Sequence, residues 1–175
     1  MWEHRLIEQI IPLLLKEAQN IRTHNRADVL FIENAVDFFR TYADRTHHGK
    51  EEDILFTLLD KKHLSDPLAV TMQELMDEHV VARDNVRSIT NALQGYISGR
   101  DDDLGVILTG LTNLAALYPR HIEKEDKNFF FPVMDYFSSK EQDEMLMKFF
   151  EFDRKMIHEK YQNIMEALGG KVKRW

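Results

Sequence analysis

Two short stretches of the chain share a pattern of side chains that can bind a metal ion. Residues 47–52 read His-His-Gly-Lys-Glu-Glu and residues 121–126 read His-Ile-Glu-Lys-Glu-Asp, so each contains a histidine four residues before a glutamate. Side chains at positions i and i+4 of an α-helix lie on the same face, one turn apart. Each stretch can therefore direct an imidazole nitrogen and a carboxylate toward a single point.

A shorter motif, Glu-His, also occurs twice, at residues 3–4 and 78–79, each time at the start of a helical apolar pattern. In chain order the candidate ligands are His4, His47, Glu51, His79, His121 and Glu125, which is one half-site repeated. Imidazole and carboxylate ligands suit iron, zinc, manganese or copper. The sequence therefore predicts a metal site, and the repetition predicts two metal ions.

The pairs His47-His48 and Glu51-Glu52 allow two registers, and the apolar stripe of the helix selects one. Helical steps back from His47 meet Ala43, Phe39 and Val36, whereas steps back from His48 meet Asp44, Thr41 and Asp37. A buried ligand shares the face of the apolar residues, so His47 and Glu51 are the predicted ligands.

Three residues adjacent to the predicted ligands have different predicted roles. Glu52 and Asp126 are expected at the edge of the ligand face, where they contact solvent or hydrogen-bond to a ligand. His48 is a candidate additional ligand, because Gly49 follows it and permits a local bulge in the helix.

Nearly every segment shows the apolar periodicity of amphipathic helices. Four long helices with short connections favour an all-α, antiparallel up-down four-helix bundle over residues 1–135, within one domain of residues 1–175. Antiparallel packing brings the predicted ligands to about one depth. Pro12 is expected to bend or divide the first helix, and Pro119 to kink the fourth.

An additional helix is predicted over about residues 140–168. It carries no candidate ligand and is expected to cover the bundle, with its outer surface as a candidate contact for a second copy or a protein partner. A frayed tail, residues 169–175, contains Lys171, Lys173 and Arg174.

Two buried glutamates need compensating partners, since burying them alone would cost several kcal/mol or force protonation. Two bridged cations remove that cost. For two six-coordinate metals, four imidazoles and two bridging carboxylates fill about eight of roughly twelve positions, and an oxo or hydroxo bridge fills about two more. The remaining positions can bind a small exogenous molecule.

Composition limits the class of protein. The 175 residues include no cysteine and carry a formal net charge of −7. The lack of cysteine excludes thiolate sites and fits a cytoplasmic location. The negative charge argues against nucleic-acid binding. No apolar run approaches the roughly 20 residues that span a membrane, and Glu3, Arg5 and Glu8 interrupt any signal-peptide pattern.

The ligand spacing, together with Tyr-Pro-Arg-His-Ile-Glu-Lys-Glu-Asp at residues 118–126, resembles the hemerythrin-like, or HHE cation-binding, family over roughly residues 1–135. The resemblance implies a four-helix bundle that holds a non-haem di-iron centre bridged by oxygen and carboxylates. Family roles include reversible dioxygen binding, sensing of oxygen or nitric oxide, iron handling, peroxide chemistry and repair of iron centres.

Two positions separate the chain from the oxygen-carrying hemerythrins. Where those proteins have a fifth histidine, one turn after the first ligand of the third helix, this chain has Arg83. Their last carboxylate is an aspartate five residues after its histidine, whereas Glu125 follows His121 by four. The chain looks closer to the branch with two histidine–glutamate pairs, and His48 offers a fifth histidine by another route.

The favoured hypothesis is a cytoplasmic protein with two iron ions (Fe2+/Fe3+) that binds, senses or reacts with dioxygen, nitric oxide or peroxide. This hypothesis favours a metal and small-gas binding protein over a dedicated enzyme and leaves both open. The alternatives are a structural or storage protein that binds zinc or manganese, and a helical interaction module whose histidines only pack.

Overall fold

Five helical rods make up residues 2–167, the part of the chain that the computed structural model describes. We label them α1, Trp2–His24; α2, residues 29–59; α3, Asp66–Ile97; α4, residues 103–134; and α5, Ser139–Ala167. The described residues contain no strand, and short turns join consecutive rods. The predicted all-α antiparallel bundle with an additional C-terminal helix is confirmed.

Two of the rods change their helical form at the metal-binding motifs. Within α2, Val29–Asp37 is α-helical, whereas Phe38–His48 and Glu51–Phe56 are π-helical. Within α4, α-helical Asp103–Lys124 gives way to π-helical Glu125–Phe129. A π-helix bonds each N–H to the carbonyl five residues earlier, so its turns are wider than those of an α-helix. The motif residues therefore follow a spacing that differs from regular α-helical spacing.

Helices α2 and α3 begin with different cap geometry. Asp28 caps α2, since its side chain accepts a hydrogen bond from the N–H of Phe31 at 3.0 Å. Ser65 occupies the cap position of α3 and Pro67 lies in the first turn, but the Ser65 side chain makes no capping bond. Helix α3 therefore begins without a side-chain cap from Ser65.

Neither proline divides its helix. Pro12 lies inside α1 and Pro119 inside α4, and both helices continue through them. Both prolines are exposed, so the missing backbone hydrogen bond falls on the solvent side, where water can satisfy the freed carbonyl.

The bundle core consists of two apolar clusters with a polar layer between them. On α2, Ala43 belongs to one cluster and Leu55 to the other. On α3, the corresponding residues are Ala82 and Leu75. The predicted ligands on these helices lie between those positions in sequence, so apolar side chains exclude water from both sides of the polar layer.

Helix α5 covers the open side of α2. Met145 is buried in one apolar cluster, and Lys62 pairs with Glu141 at 2.6 Å. A Cβ atom at Gly49 would lie 2.8 Å from the ring of Phe152, so a larger residue would force that ring to shift where the two helices approach. This agrees with the predicted covering role. The predicted basic tail lies outside the described residues.

The sequence also predicts that no segment of the chain spans a membrane. None of the helices within residues 2–167 combines the length and the apolar character that a bilayer span requires.

Candidate metal centre

Seven buried side chains from all four bundle helices converge in the polar layer. They are His4 from α1, His47, His48 and Glu51 from α2, His79 from α3, and His121 and Glu125 from α4. Each is at most 2% exposed. The structure thus brings together the six ligands predicted from the sequence, and it adds the candidate His48.

These side chains form two adjacent groups that could each hold a metal ion. The first group is His4, His47, Glu51 and Glu125, and the second is His48, His79 and His121. Within each group, one ligand atom from every residue lies within 4.8 Å of the others. The spacing suits direct coordination, and the donors are those that iron, zinc and manganese accept.

Four of the histidines are held by carboxylates on a neighbouring helix. The Nδ1 atoms contact carboxylate oxygens in the pairs His4–Asp126 at 2.8 Å, His47–Glu3 at 3.0 Å, His79–Glu52 at 2.6 Å and His121–Glu78 at 2.8 Å. A carboxylate accepts a hydrogen bond, so each Nδ1 carries the proton and donates it. In the neutral ring this leaves Nε2 with a free lone pair, the form that binds metals.

The free nitrogen atoms point at one another. The Nε2 atoms of His4 and His47 lie 3.1 Å apart, and those of His79 and His121 lie 3.2 Å apart. Two unprotonated nitrogens cannot hydrogen-bond to each other, since both are acceptors. Each pair therefore needs a proton or a cation between its members.

The two buried glutamates have the same need. The carboxylate oxygens of Glu51 and Glu125 are fully buried and have no hydrogen-bond partner of good geometry, although Nε2 of His4 lies 3.1 Å from Glu125. Burial, reinforced by the charge of Glu125, raises the pKa of Glu51 well above its ordinary value. A metal cation would stabilise both carboxylates as anions.

A proton on His121 is the alternative to a cation between the facing Nε2 atoms of His79 and His121. Burial lowers the pKa of His121, but two carboxylates outweigh burial and raise the pKa to about 9: Glu125, which lies 3.2 Å from Nε2, and Glu78, which accepts a hydrogen bond from Nδ1. A metal ion at His121 must displace this proton, so metal binding releases it.

His48 has no hydrogen-bond partner at either ring nitrogen. Its ring stacks on His79, with centroids 3.8 Å apart. Burial, together with the neighbouring histidines, lowers the pKa of His48 well below its ordinary value, so the ring is neutral. Regular α-helical spacing predicts that His48 lies off the ligand face. The wider π-helical turn places both His47 and His48 inside the bundle.

Sequence reasoning missed how Glu3 and Glu78 act. Each bonds a ligand histidine and also a lysine: Glu78 bonds Lys124 at 2.7 Å, and Glu3 bonds Lys50. Although burial opposes it, the hydrogen bonds from His47 and Lys50 lower the pKa of Glu3 to about 2. The available signal was the repeated Glu-His dipeptide and the lysine shared by both stretches.

The edge positions behave as predicted, because Glu52 and Asp126 bond ligand histidines from outside the layer. Asp126 stands five residues after His121, yet the inward position belongs to Glu125. Arg83 contacts Asp44 and Glu52, each at 2.7 Å. It supports the carboxylate that holds His79 and takes no part in either ligand group.

Comparison with known proteins agrees with this geometry. Residues 2–132 match the family model of the hemerythrin HHE cation binding domain. The match spans well over half of the chain, so the chain belongs to the hemerythrin HHE family, and the resemblance predicted from the sequence is confirmed. Neither the curated proteins nor the solved structures gave a match. The family domain and the histidine–glutamate groups together fit a metal-binding protein.

Glu78→Gln should weaken metal binding about 10- to 100-fold, as expected when a carboxylate that orients a histidine ligand is lost. The matched control is Glu74→Gln. Glu74 contacts the same lysine, Lys124, at 2.8 Å but bonds no ligand histidine in the structure. Titration of both variants with a divalent metal tests the difference. Equal affinities would contradict an orienting role for Glu78.

Proposed function

We propose that the chain binds two iron ions through its five clustered histidines and two buried glutamates, and that the centre binds, senses or reacts with dioxygen, nitric oxide or peroxide. The observation that supports this most directly is the convergence of Nε2 lone pairs and unpartnered carboxylates at one depth of the bundle. Such an arrangement is unfavourable without cations.

The donor count leaves room for a small ligand. Five imidazole nitrogens and four carboxylate oxygens would fill about nine of the roughly twelve positions of two six-coordinate metals. When bound, iron would supply redox chemistry and affinity for small diatomic molecules. The chain's own part is to hold the donors through the outer carboxylates and to exclude water with the apolar clusters on either side.

Elemental analysis and optical spectra of protein purified without oxygen test this proposal. We expect two irons per chain and a near-ultraviolet absorption band after exposure to air. Spectral change without turnover would indicate a carrier or sensor, and peroxide consumption would indicate an enzyme. Colourless protein that retains zinc or manganese, despite excess iron during expression, would favour a structural or storage protein instead. Unchanged melting after chelation would contradict any metal role.

The cellular setting forms part of the proposal. A chain without cysteine suits a reducing compartment such as the cytoplasm. A sensing role would require a partner protein or a second copy, and α5 is the surface we propose for that contact.

A further inference from the structure

A cavity of about 530 Å³ lies beside the metal centre, between the first turn of α1, the middle of α2, the end of α4 and α5. Aromatic and aliphatic side chains form most of its wall, including Leu55, Phe130 and Phe149. Two buried residues of the metal centre, His47 and Glu51, also line it. The cavity therefore extends from the surface to the edge of the ligand groups.

The size of the cavity exceeds what the proposed gas chemistry needs. One water molecule takes about 30 Å³ of liquid volume, and dioxygen or nitric oxide is of similar size. Sites for small organic molecules have volumes of about 300–1,000 Å³, with mostly apolar walls and few polar groups. The cavity falls within that class.

Apart from Glu51, a candidate metal ligand whose carboxylate has no hydrogen-bond partner, the charged side chains at the wall are paired within the protein. Lys50 contacts Glu3 and also Asp153, the latter at 2.8 Å. Asp126 contacts His4 at 2.8 Å and also Arg5. Of the lining residues, all of which belong to the described part of the chain, Lys50 alone bears an ammonium or guanidinium group. An anionic head group would have to break one of these pairs, so a neutral ligand is favoured.

Large rings at the cavity are exposed to water. Trp2 is 76% exposed, Phe131 79% and Phe150 60%, and all three line the cavity. A group of exposed rings next to an apolar cavity marks a binding site, because a bound molecule would remove apolar surface from water. A flat protein surface could cover the rings but could not reach His47 and Glu51.

We propose that this cavity binds a neutral, largely apolar organic molecule of medium size, such as an aliphatic alcohol, next to the metal centre. The inference goes beyond the proposed gas chemistry and does not depend on it, because the lining residues come together in the protein without any metal ion. It adds an organic ligand to a centre otherwise suited only to very small molecules.

Protein labelled with ¹³C at the methionine methyl groups provides the test. Met134 and Met145 line the cavity, whereas Met72 and Met76 do not. Addition of 1-octanol should shift the Met134 and Met145 signals saturably, with iron or without it, and leave Met72 and Met76 unchanged. Octanoate, of equal chain length but charged, should bind at least about tenfold more weakly, because its carboxylate would be buried without a partner.

Two adjacent exposed positions on α5 supply a matched pair of variants. Leu146 is 50% exposed and lines the cavity, whereas Met147 is 60% exposed and does not. Leu146→Asp should abolish the octanol response, and Met147→Asp should preserve it. Absence of saturable shifts, or an equal response in both variants, would overturn the inference. Shifts of the Met134 and Met145 signals that depend on protein concentration without octanol would also overturn it, because a second copy would then occupy the cavity.

Discussion

Glu51→Gln should stabilise the chain in the presence of a chelator and, at the same time, destroy its ability to hold two metal ions. The Glu51 carboxylate is fully buried beside Glu125, and neither of its oxygens has a hydrogen-bond partner. A neutral amide of nearly the same size removes the charge repulsion, so we expect the free energy of unfolding to rise by about 1–3 kcal/mol.

The same substitution removes a ligand that both metals could share. Loss of an outer partner of a ligand costs about 10- to 100-fold in affinity, so loss of the ligand itself should cost at least about 100-fold. The metal content should fall from two ions per chain to one or none. Urea unfolding in chelator measures the first effect, and iron titration under anaerobic conditions measures the second.

Glu17→Gln is the matched control, since Glu17 is also a buried glutamate, at 7% exposure. Its oxygens accept hydrogen bonds from the N–H of Asp28 at 2.8 Å and from Asn20 at 3.1 Å. Glu17→Gln should therefore destabilise the chain and leave metal content unchanged. A loss of stability in Glu51→Gln with chelator present would contradict the electrostatic account of the centre.

The pH dependence of stability has a definite sign in chelator. A carboxyl group whose pKa is raised in the folded state binds more protons there than in the unfolded chain, so stability falls as pH rises. The decline attributable to Glu51 should begin near its ordinary pKa of 4.5 and continue upward until its folded pKa is passed. Glu51→Gln should lack this component when unfolding is measured across the same pH range.

His48→Leu should remove one metal ion and leave the fold intact. His48 is 1% exposed and neither of its ring nitrogens has a hydrogen-bond partner. Leucine fills similar space without polar atoms, so stability in chelator should stay equal or increase. The second ligand group would retain only His79 and His121, and its affinity should fall at least about 100-fold if His48 coordinates, more than an outer partner costs.

His24→Leu is the control variant for His48→Leu. His24 is exposed and lies outside both ligand groups of the described residues, and its ring bonds Asn20 on the same helix. That variant should keep two metals per chain by elemental analysis. If His48→Leu also keeps both, the stacking of His48 on His79 is a packing contact and the centre uses four histidines.

The sequence determined the fold and six of the seven residues of the polar layer. Helical periodicity records which face of each helix is buried, and His4, His79 and the two histidine–glutamate pairs lie on those faces. Because antiparallel packing then leaves little freedom in depth, six residues from four helices could be assigned to one place. The edge positions of Glu52 and Asp126 followed from the same periodicity.

The tertiary structure alone decided the position of His48, the partners of the histidines and the cavity beside them. His48 turns inward because α2 is π-helical there. A π-helix is rare, so its place in a chain depends on the contacts that surround it. The bonds from Glu3 and Glu78 cross between helices, so they depend on the rotation and offset of neighbouring rods. Periodicity within one helix encodes neither quantity, and for the same reason it could not reveal the cavity that α5 completes.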